Sequence, residues 1–472
     1  MRRALAAVLL LLCSRTAGAT DLAVTDAAIA RVPNTPTAHV TSNVAWQNAW
    51  RNERNHDAAW IFVKVRAAGG SWRHASIIRA SLQPVARLLQ PPSIAVSPDL
   101  VGLFLSAASP MRGPVTWSLD LTVDLSLIRD LSADTALETR VFGVEMVQIP
   151  EGAFTLGDPD PAALKFAAFY RSNAAGSPDG LIEIRSEEAI EVGAAMGALN
   201  YQVEQSEYQG DRQGPIPAAF PKGFRAFYAM KYELSQGLYA EFLNTLGEEA
   251  TGFRAIHGGR EYYRHRGTIR LEEGRYSAAQ ATRPANRVSW EDAIAFADWA
   301  GLRPMTELEF EKAARGTSPA IGHEFPWGTS TVDRMRRVMQ PNDDLALSSS
   351  ADEARLSADT RVEFGASYYW VLDLAGSVWE RTVSVGHPAG RRFEGSHGDG
   401  RLTGYGSATN QDWPRGDETG GGYGYRGGGY YEQGMRATDF NPYSPIAYRR
   451  FGAWGQAPRS LAYGFRAVRT AP

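Results

Sequence analysis

RPANRVSWEDAIAFADWAG, residues Arg283–Gly301, is the stretch that decides the fold, because it predicts a short helix with both ends marked. Ser289 can cap the start of this helix with its hydroxyl, and Asp292 can return the hydrogen bond from three residues later. Gly301 suits the left-handed conformation that commonly ends a helix. Apolar residues at helical spacing predict one stripe that faces a core: Ala293, Phe296, Ala297 and Ala300.

A second helix is predicted directly afterwards, within Leu302–Gly316 (LRPMTELEFEKAARG). Thr306 and Glu309 have the spacing of a capping box, in which each side chain bonds the backbone of the other residue. Gly316 marks the end of this helix. The two stretches therefore predict consecutive helices joined by a short link.

Three further motifs follow along the chain: Phe325–Gly328 (FPWG), Leu374–Arg381 (LAGSVWER) and Gly464–Arg466 (GFR). A run rich in Gly and Tyr precedes the last of them. In this order and spacing, the segments resemble the sulfatase-modifying-factor family, the formylglycine-generating-enzyme-like domain. The resemblance implies an α+β fold similar to a C-type lectin domain, with a few helices, short twisted sheets and long loops.

The resemblance places the sulfatase-modifying-factor-like domain at residues 140–472. Val141–Pro150 is predicted to be its opening strand, and it leads into the pattern G-x-F-x-L-G at Gly152–Gly157. Two polar segments, near 159–222 and 248–282, fit no compact motif and are interpreted as insertions.

Two helices are predicted around the first insertion. One is a short helix near Ser186–Ala198. The other starts after Ser235, which can serve as its cap, and ends at Gly247.

Residues 20–139 predict a separate all-β domain, a sandwich of immunoglobulin type. Residues 115–127 alternate between apolar and polar side chains without a break, and Trp60–Arg66 predicts a second strand. Gly69 and Gly70 supply the turn that follows it. Three tryptophans in this region could form an aromatic platform for sugars or pack in the core, and core packing is favoured: Trp46, Trp50 and Trp60.

The N-terminus, residues 1–19, has the pattern of a signal peptide. Arg2 and Arg3 are followed by an apolar stretch, and the small residues 17–19 suit a cleavage site. A lipoprotein anchor at Cys13 is the alternative, although the bulky Leu12 before it argues against that. No later run reaches the ~18 apolar residues that suggest a membrane helix. We therefore expect an exported, periplasmic or extracellular protein without a transmembrane segment.

Cysteine content limits the chemistry of the chain, because Cys13 is its single cysteine. The resemblance would imply formylglycine formation with copper held by two cysteine thiolates near the C-terminus. The matching stretch, Asn441–Trp454, has no cysteine, and soft Cu(I) needs sulfur ligands. We expect no copper. The formal net charge of −3 also gives no electrostatic reason to expect a nucleic acid as partner.

The motif Gly-Asn-x-Trp-Glu helps to build a calcium site in the family, so the resemblance makes Ser377 and Glu380 candidate calcium ligands. Serine replaces the asparagine here, which weakens the donor set. The alternative is that Glu380 pairs with an arginine. Glu380 and the pair His397 and Asp399 are also the candidates for catalysis, the pair as base and orienting carboxylate. Turn chemistry accounts for His397 and Asp399 without any function, and this interpretation is favoured.

The segment that carries the substrate groove in the family contains aromatic residues beside arginines. Such a pairing suits a peptide, protein or carbohydrate ligand on the C-terminal face. The candidate ligand-binding residues are Tyr430, Tyr431, Arg449, Arg450 and Trp454.

Two functions remain open from the sequence. The first is an exported, non-catalytic binding or structural module. The alternative is a cysteine-independent oxidoreductase or peptide-modifying enzyme of the formylglycine-generating-enzyme superfamily. Convergence of Glu380, His397 and Asp399 on one pocket would favour the enzyme. Their dispersal, together with an open shallow face formed by the C-terminal aromatic residues, would favour the binding module.

Overall fold

The computed structural model describes the following residues of the 472-residue chain: 22–83, 90–126, 128, 135–202, 208–334, 356–415, 421–432, 435–436, 444–455 and 459–472. The predicted signal peptide, residues 1–19, and the cysteine within it lie outside the described residues. Among those that are described, no helix is long and apolar enough to cross a membrane.

The described residues form a mixed structure of many strands and some helices. The strands are β1 (Leu22–Arg31), β2 (Thr37–Arg51), β3 (Asp57–Ala67), β4 (Arg73–Leu82), β5 (Pro92–Val96), β6 (Leu103–Ala107), β7 (Met111–Asp124), β8 (Leu137–Ile149), β9 (Phe154–Leu156), β10 (Tyr170–Arg171), β11 (Ile182–Ile184), β12 (Leu199–Asn200), β13 (Phe227–Met230), β14 (Ile269–Glu272), β15 (Arg275–Ala278), β16 (Arg303–Pro304), β17 (Trp379–Val383), β18 (Tyr423–Arg426), β19 (Tyr431–Glu432), β20 (Met435–Arg436), β21 (Tyr463–Gly464) and β22 (Ala467–Thr470).

The helices of the described residues are short, and a 3-10 turn, Pro161–Phe166, precedes them. They are α1 (Gln236–Leu243), α2 (Glu248–Arg254), α3 (Gly259–Arg264), α4 (Trp290–Trp299), α5 (Glu307–Arg315), α6 (Arg361–Phe364) and α7 (Pro388–Arg391).

One large antiparallel sheet runs through the described residues in the order β1-β2-β7-β4-β3-β8-β13-β22-β16, and β6 with β5 branches from β3. The sheet folds onto itself in the N-terminal region, so that β1 lies over β8. A side-chain carbon at Gly143 of β8 would meet Val24 of β1 at 2.9 Å. The strands on both sides share one apolar core. The assignment to the immunoglobulin type stays a prediction.

Strand β8 connects the N-terminal strands to the rest of the protein. Most of its length pairs with β3, and its last residues, Met146–Ile149, also pair with β13. The predicted boundary between residues 139 and 140 therefore falls inside a strand. The division into domains and the lectin-like character of the second one stay predictions.

Strand β3 is buried on both of its faces, whereas the alternation of its side chains predicts one buried face. Ile61 and Val63 point into the core between the sheet layers, whereas Trp60 and Phe62 point toward α4. The indole of Trp60 donates a hydrogen bond to the carbonyl of Ala300 at 2.8 Å. Trp46, Trp50 and Trp60 are all at most 1% exposed, so their interpretation as core residues is confirmed.

Helices α4 and α5 have the caps that the sequence predicts. Ser289 with Asp292 and Thr306 with Glu309 form complete capping boxes. The prediction of a single buried stripe on α4 is too narrow, because nearly every side chain of this helix is buried. The reason is that the sheet covers one side of α4 and later loops cover the other.

Two local predictions are wrong. Helix α1 is capped by Ser235 but ends at Leu243, and Gly247 instead precedes α2. The helix expected at Ser186–Ala198 is absent, since these residues form turns and isolated bridges. The segment 248–282 is more ordered than its polarity suggests, because it contains α2, α3 and the hairpin of β14 and β15.

Candidate functional site

Glu380 lies at the start of β17 and forms an ion pair inside the protein. Its carboxylate accepts hydrogen bonds from Nη2 of Arg466 at 2.6 Å and from Nε at 2.9 Å. Both side chains are fully buried. Burial raises the pKa of Glu380, and the Arg466 guanidinium opposes that shift. Glu380 therefore pairs with an arginine, which is the alternative to calcium binding given in the sequence analysis.

Ser377, the other candidate calcium ligand, also faces a guanidinium. Nη2 of Arg266 lies 3.5 Å from the Ser377 hydroxyl. A guanidinium already contacts each of the two candidate ligands, Arg466 at Glu380 and Arg266 at Ser377, whereas the carboxylate of Asp373 acts on Glu380 with the opposite sign. Within the described ranges, no group of three or more His, Cys, Asp and Glu is placed to hold a metal ion. Calcium stays a prediction, and these residues do not fit it well.

His397 and Asp399 lie in a loop with partners of their own. Nε2 of His397 accepts a hydrogen bond from the backbone of Thr470 at 3.1 Å. Burial and the nearby guanidinium groups of Arg469 and Arg303 hold the pKa of His397 well below its usual range. Asp399 is exposed, and its carboxylate accepts from the backbone of Arg401.

Glu380, His397 and Asp399 therefore belong to separate sets of contacts. No hydrogen bond or ion pair between any two of them is seen in the described part of the chain. No contact among the described residues brings the three side chains together in one pocket, as an enzyme built on them would require.

Arg449, a candidate ligand-binding residue, is fully buried. Its guanidinium donates to both carboxylate oxygens of Glu307, at 2.6 and 2.9 Å. A further hydrogen bond of 2.7 Å goes to the carbonyl of Ala167, and the ring centroid of Phe169 lies 3.7 Å away. The side chain thus connects interior segments and is closed to a ligand from solvent.

The other ligand candidates differ in position. Tyr430 is buried, and its hydroxyl donates to the carbonyl of His265 at 3.1 Å. Trp454 and Arg450 are half-buried, and both rest against Phe451. Their roles in ligand binding stay predictions. The side chain of the remaining candidate, Tyr431, lies outside the described residues.

A groove of about 580 Å³ opens beside α7. Arg391 in its wall is held by Asp211 through two hydrogen bonds of 2.8 Å, and Arg415 donates to the carbonyls of residues 408 and 410. Arg392 and Glu394 are exposed at the groove. The remaining lining residues are mostly apolar or amide in character: Pro217, Ala219, Ala389, Gln411, Trp413 and Pro414, with Asp412 among them.

A chain of three polar side chains lies elsewhere on the molecule, and sequence reasoning missed it. Nε2 of His323 is 2.9 Å from a carboxylate oxygen of Asp160, and Nδ1 is 2.7 Å from the hydroxyl of Tyr448. About a third of the His323 side chain is exposed, and Tyr448 is half-buried. We call these three residues the Asp–His–Tyr relay.

The relay residues come from three distant segments, which is why no spacing in the sequence revealed them. Asp160 lies in the segment 159–222, His323 lies two residues before the FPWG motif, and Tyr448 lies in the stretch Asn441–Trp454. The one feature of the sequence that could have indicated this site is the position of His323 close to the FPWG motif.

One protein-family model matches most of this chain. The model of the "Sulfatase-modifying factor enzyme 1-like domain" matches residues 135–471. The chain is similar to a formylglycine-generating enzyme of Thermomonospora curvata, with 36% identity over 103 residues, which cover 21% of this chain and 32% of that protein. It is also similar to the "Inactive C-alpha-formylglycine-generating enzyme 2" of Mus musculus, with 35% identity, covering 23% of this chain and 34% of the relative.

A third relative carries a different name. It is a hercynine oxygenase of Mycobacterium tuberculosis, 32% identical over 130 residues that cover 27% of this chain and 28% of that protein. The chain thus spans about a third of the length of each of these relatives.

Proposed function

This chain belongs to the sulfatase-modifying factor enzyme 1-like family, and we propose that it is an exported, non-catalytic module that binds a ligand in the groove beside α7. The observation that carries the proposal is this open groove, in which Arg392 is exposed. Three facts support it: Cys13 is the single cysteine, Glu380, His397 and Asp399 contact other partners and not one another in the described part of the chain, and one similar relative is named inactive. The signal-peptide pattern supports export.

The groove suits a peptide, protein or carbohydrate ligand. Arg391 and Arg415 are already held by protein partners, so Arg392 and Glu394 are the charged side chains best placed to meet a ligand. An exposed guanidinium can bind a carboxylate through two hydrogen bonds. The adjoining proline and alanine side chains give the apolar surface that a peptide or sugar face needs.

A peptide array and a glycan array probed with the purified protein test this function. Arg392→Glu reverses the charge in the groove and is expected to abolish the signals that the unchanged protein gives. Arg401→Glu, on an exposed arginine outside the groove lining, is the matched control. No reproducible signal, or the same signals from Arg392→Glu, would refute binding in the groove.

Copper–thiolate chemistry is tested separately. Without a cysteine after Cys13, the donors for Cu(I) are missing, so we expect no stoichiometric Cu(I) in the purified protein and no formylglycine in a cysteine-containing peptide. Stoichiometric Cu(I) or formation of the aldehyde would overturn this part of the proposal.

A second candidate function is the cysteine-independent enzyme. The Asp–His–Tyr relay favours it, because a hydroxyl, a base and a carboxylate in line are the parts of a nucleophilic site. The relay is accessible to solvent through His323.

A further inference from the structure

We propose that Tyr448 is a nucleophile whose proton is accepted by His323, with Asp160 as the positioning residue, and that the site takes acyl and related electrophilic groups from esters. This inference rests on the second candidate function, the cysteine-independent enzyme, and is the alternative to the non-catalytic module; the geometry of the relay carries it. It does not need a metal or a redox cofactor, because group transfer to a hydroxyl involves no change of oxidation state.

The hydrogen bonds determine which proton sits where. A carboxylate can only accept, so the contact of 2.9 Å between Asp160 and Nε2 requires a proton on that nitrogen. A neutral imidazole then has a lone pair on Nδ1, and the Tyr448 hydroxyl at 2.7 Å donates to it. The tautomer that Asp160 selects is therefore the one that can act as a base toward Tyr448.

Tyr448 needs this base. Burial, together with Asp158 and Asp160, raises the pKa of its hydroxyl to about 12, so the phenolate is not formed by solvent near neutral pH. Removal of the proton by a hydrogen-bonded base during attack avoids that requirement. The carboxylate of Asp160 stabilises the imidazolium that forms when His323 takes the proton.

The relay is held rigid by a second carboxylate. One oxygen of Asp158 accepts from the backbone of Asp160 at 2.8 Å, and the other accepts from the backbone of His323 at 2.8 Å. Asp158 is fully buried and so connects the two loops that carry the base and its orienting group.

Two further contacts fix the ends of the relay. The ring of Tyr448 stacks on Phe166 with a centroid distance of 4.0 Å. His323 adopts a left-handed backbone with φ of 53°, a conformation that costs free energy and is concentrated at functional sites. Both observations indicate a site that is organised before any ligand arrives.

The reaction balances with water as the co-reactant. The O–H bond of Tyr448 breaks and its proton moves to Nδ1 of His323, while the phenolic oxygen forms a bond to the acyl carbon. The C–O bond of the ester breaks, and the departing alkoxide takes the proton from His323. Water then cleaves the tyrosyl ester to release the acid, which restores Tyr448.

An aryl sulfonyl fluoride is the probe for the test. It reacts by the same route, with fluoride as the leaving group, and leaves a stable label that mass spectrometry locates. We expect the full chain to be labelled at Tyr448 faster than at Tyr405, which is 57% exposed and outside the relay.

Substitutions show whether Tyr448 is labelled because His323 activates it or only because it is exposed to the reagent. His323→Gln keeps a hydrogen-bonding side chain but removes the base, and is expected to slow labelling of Tyr448 by ~100-fold. Asp160→Asn gives a second readout if His323→Gln fails to fold. His39→Gln is the matched control, because His39 contacts Asp120 at 3.1 Å and no tyrosine. Equal labelling rates at Tyr448 in these three variants, or no label at Tyr448 in the unchanged chain, would overturn the proposal.

Turnover distinguishes this inference from the function on which it rests. Hydrolysis of p-nitrophenyl acetate that is lost in Tyr448→Phe supports both. Rapid labelling of Tyr448 that depends on His323, without hydrolysis of the ester, supports the activated tyrosine and contradicts the enzyme.

Discussion

Arg449 and Glu307 lie 142 positions apart in the sequence, and their side chains form a fully buried pair with two hydrogen bonds. Glu307 is the first residue of α5, and it also accepts from the backbone of Val385 at 2.9 Å. Arg449 extends the connection to the carbonyl of Ala167. One side chain that the sequence suggested as a ligand contact therefore joins three interior segments.

Arg449→Met is expected to destabilise the protein by about 3–5 kcal/mol, because it leaves the buried charge of Glu307 without its nearest partner. Urea unfolding measures the change. The double variant Arg449→Met with Glu307→Gln removes both charges and should recover part of the loss. Arg392→Ala, on an exposed arginine, should stay within about 0.5 kcal/mol of the unchanged protein. A single Arg449 variant as stable as that control would show that the pair contributes nothing.

Gly301 is expected to tolerate no side chain, because it lies where α4 meets the N-terminal strands. Its φ is 68°, and an added carbon would overlap the side chain of Val101. Gly274 has a similar φ of 76°, but nothing lies within 4 Å of the added carbon, so it isolates the backbone effect. We expect about 1 kcal/mol of destabilisation from Gly274→Ala and roughly 1–3 kcal/mol more from Gly301→Ala. Equal thermal shifts would contradict tight packing at Gly301.

Lys64 should make stability depend on pH. It is 2% exposed, and it donates to the carbonyls of Trp299 and Gly400 at 2.8 and 3.0 Å. Burial lowers its pKa to about 7 from 10.5, so between these values the unfolded chain binds one more proton than the folded chain. The free energy of unfolding should therefore rise with pH in this window, by about 1.4 kcal/mol per unit.

The comparison with Lys64→Met isolates this contribution. The difference between the unchanged protein and the variant, from urea unfolding at several pH values, should grow in favour of the lysine as the pH rises from 7. Asp298, whose pKa burial raises to about 6, titrates below the window and is present in both proteins. A difference that stays constant from pH 7 to 10 would refute the low pKa of Lys64.

Calcium is not expected to stabilise the protein through Glu380 and Ser377. The Glu380 carboxylate already accepts from Arg466, and a dication would have to compete with a guanidinium held at 2.6 Å. Differential scanning calorimetry should give the same unfolding midpoint in calcium and in a chelator. A calcium-dependent gain of about 2.7 kcal/mol, as expected at a hundred times the dissociation constant, would instead support the calcium site. Magnesium is the control for ionic strength.

The parts of the fold that the sequence predicted correctly depend on short-range interactions. Ser289 with Asp292, and Thr306 with Glu309, are three residues apart, so the capping hydrogen bonds are already implied by the order of residues. The spacing of apolar residues predicts one buried stripe on α4, whereas nearly all of its side chains are buried, because burial depends on what packs against a helix. Gly247 precedes α2 and does not end α1, because a glycine can precede one helix as readily as it can end another.

At the candidate site, the sequence alone determines even less, and the tertiary structure determines more. The single cysteine, Cys13, is a property of the sequence alone, and one thiol cannot supply the two thiolates that would hold copper in any fold of this chain. The burial of Arg449 and Tyr430 and the meeting of Asp160, His323 and Tyr448 are properties of the tertiary structure. The physical reason is that hydrogen bonds and ion pairs act over about 3 Å in space, whereas these partners are separated by more than a hundred positions along the chain.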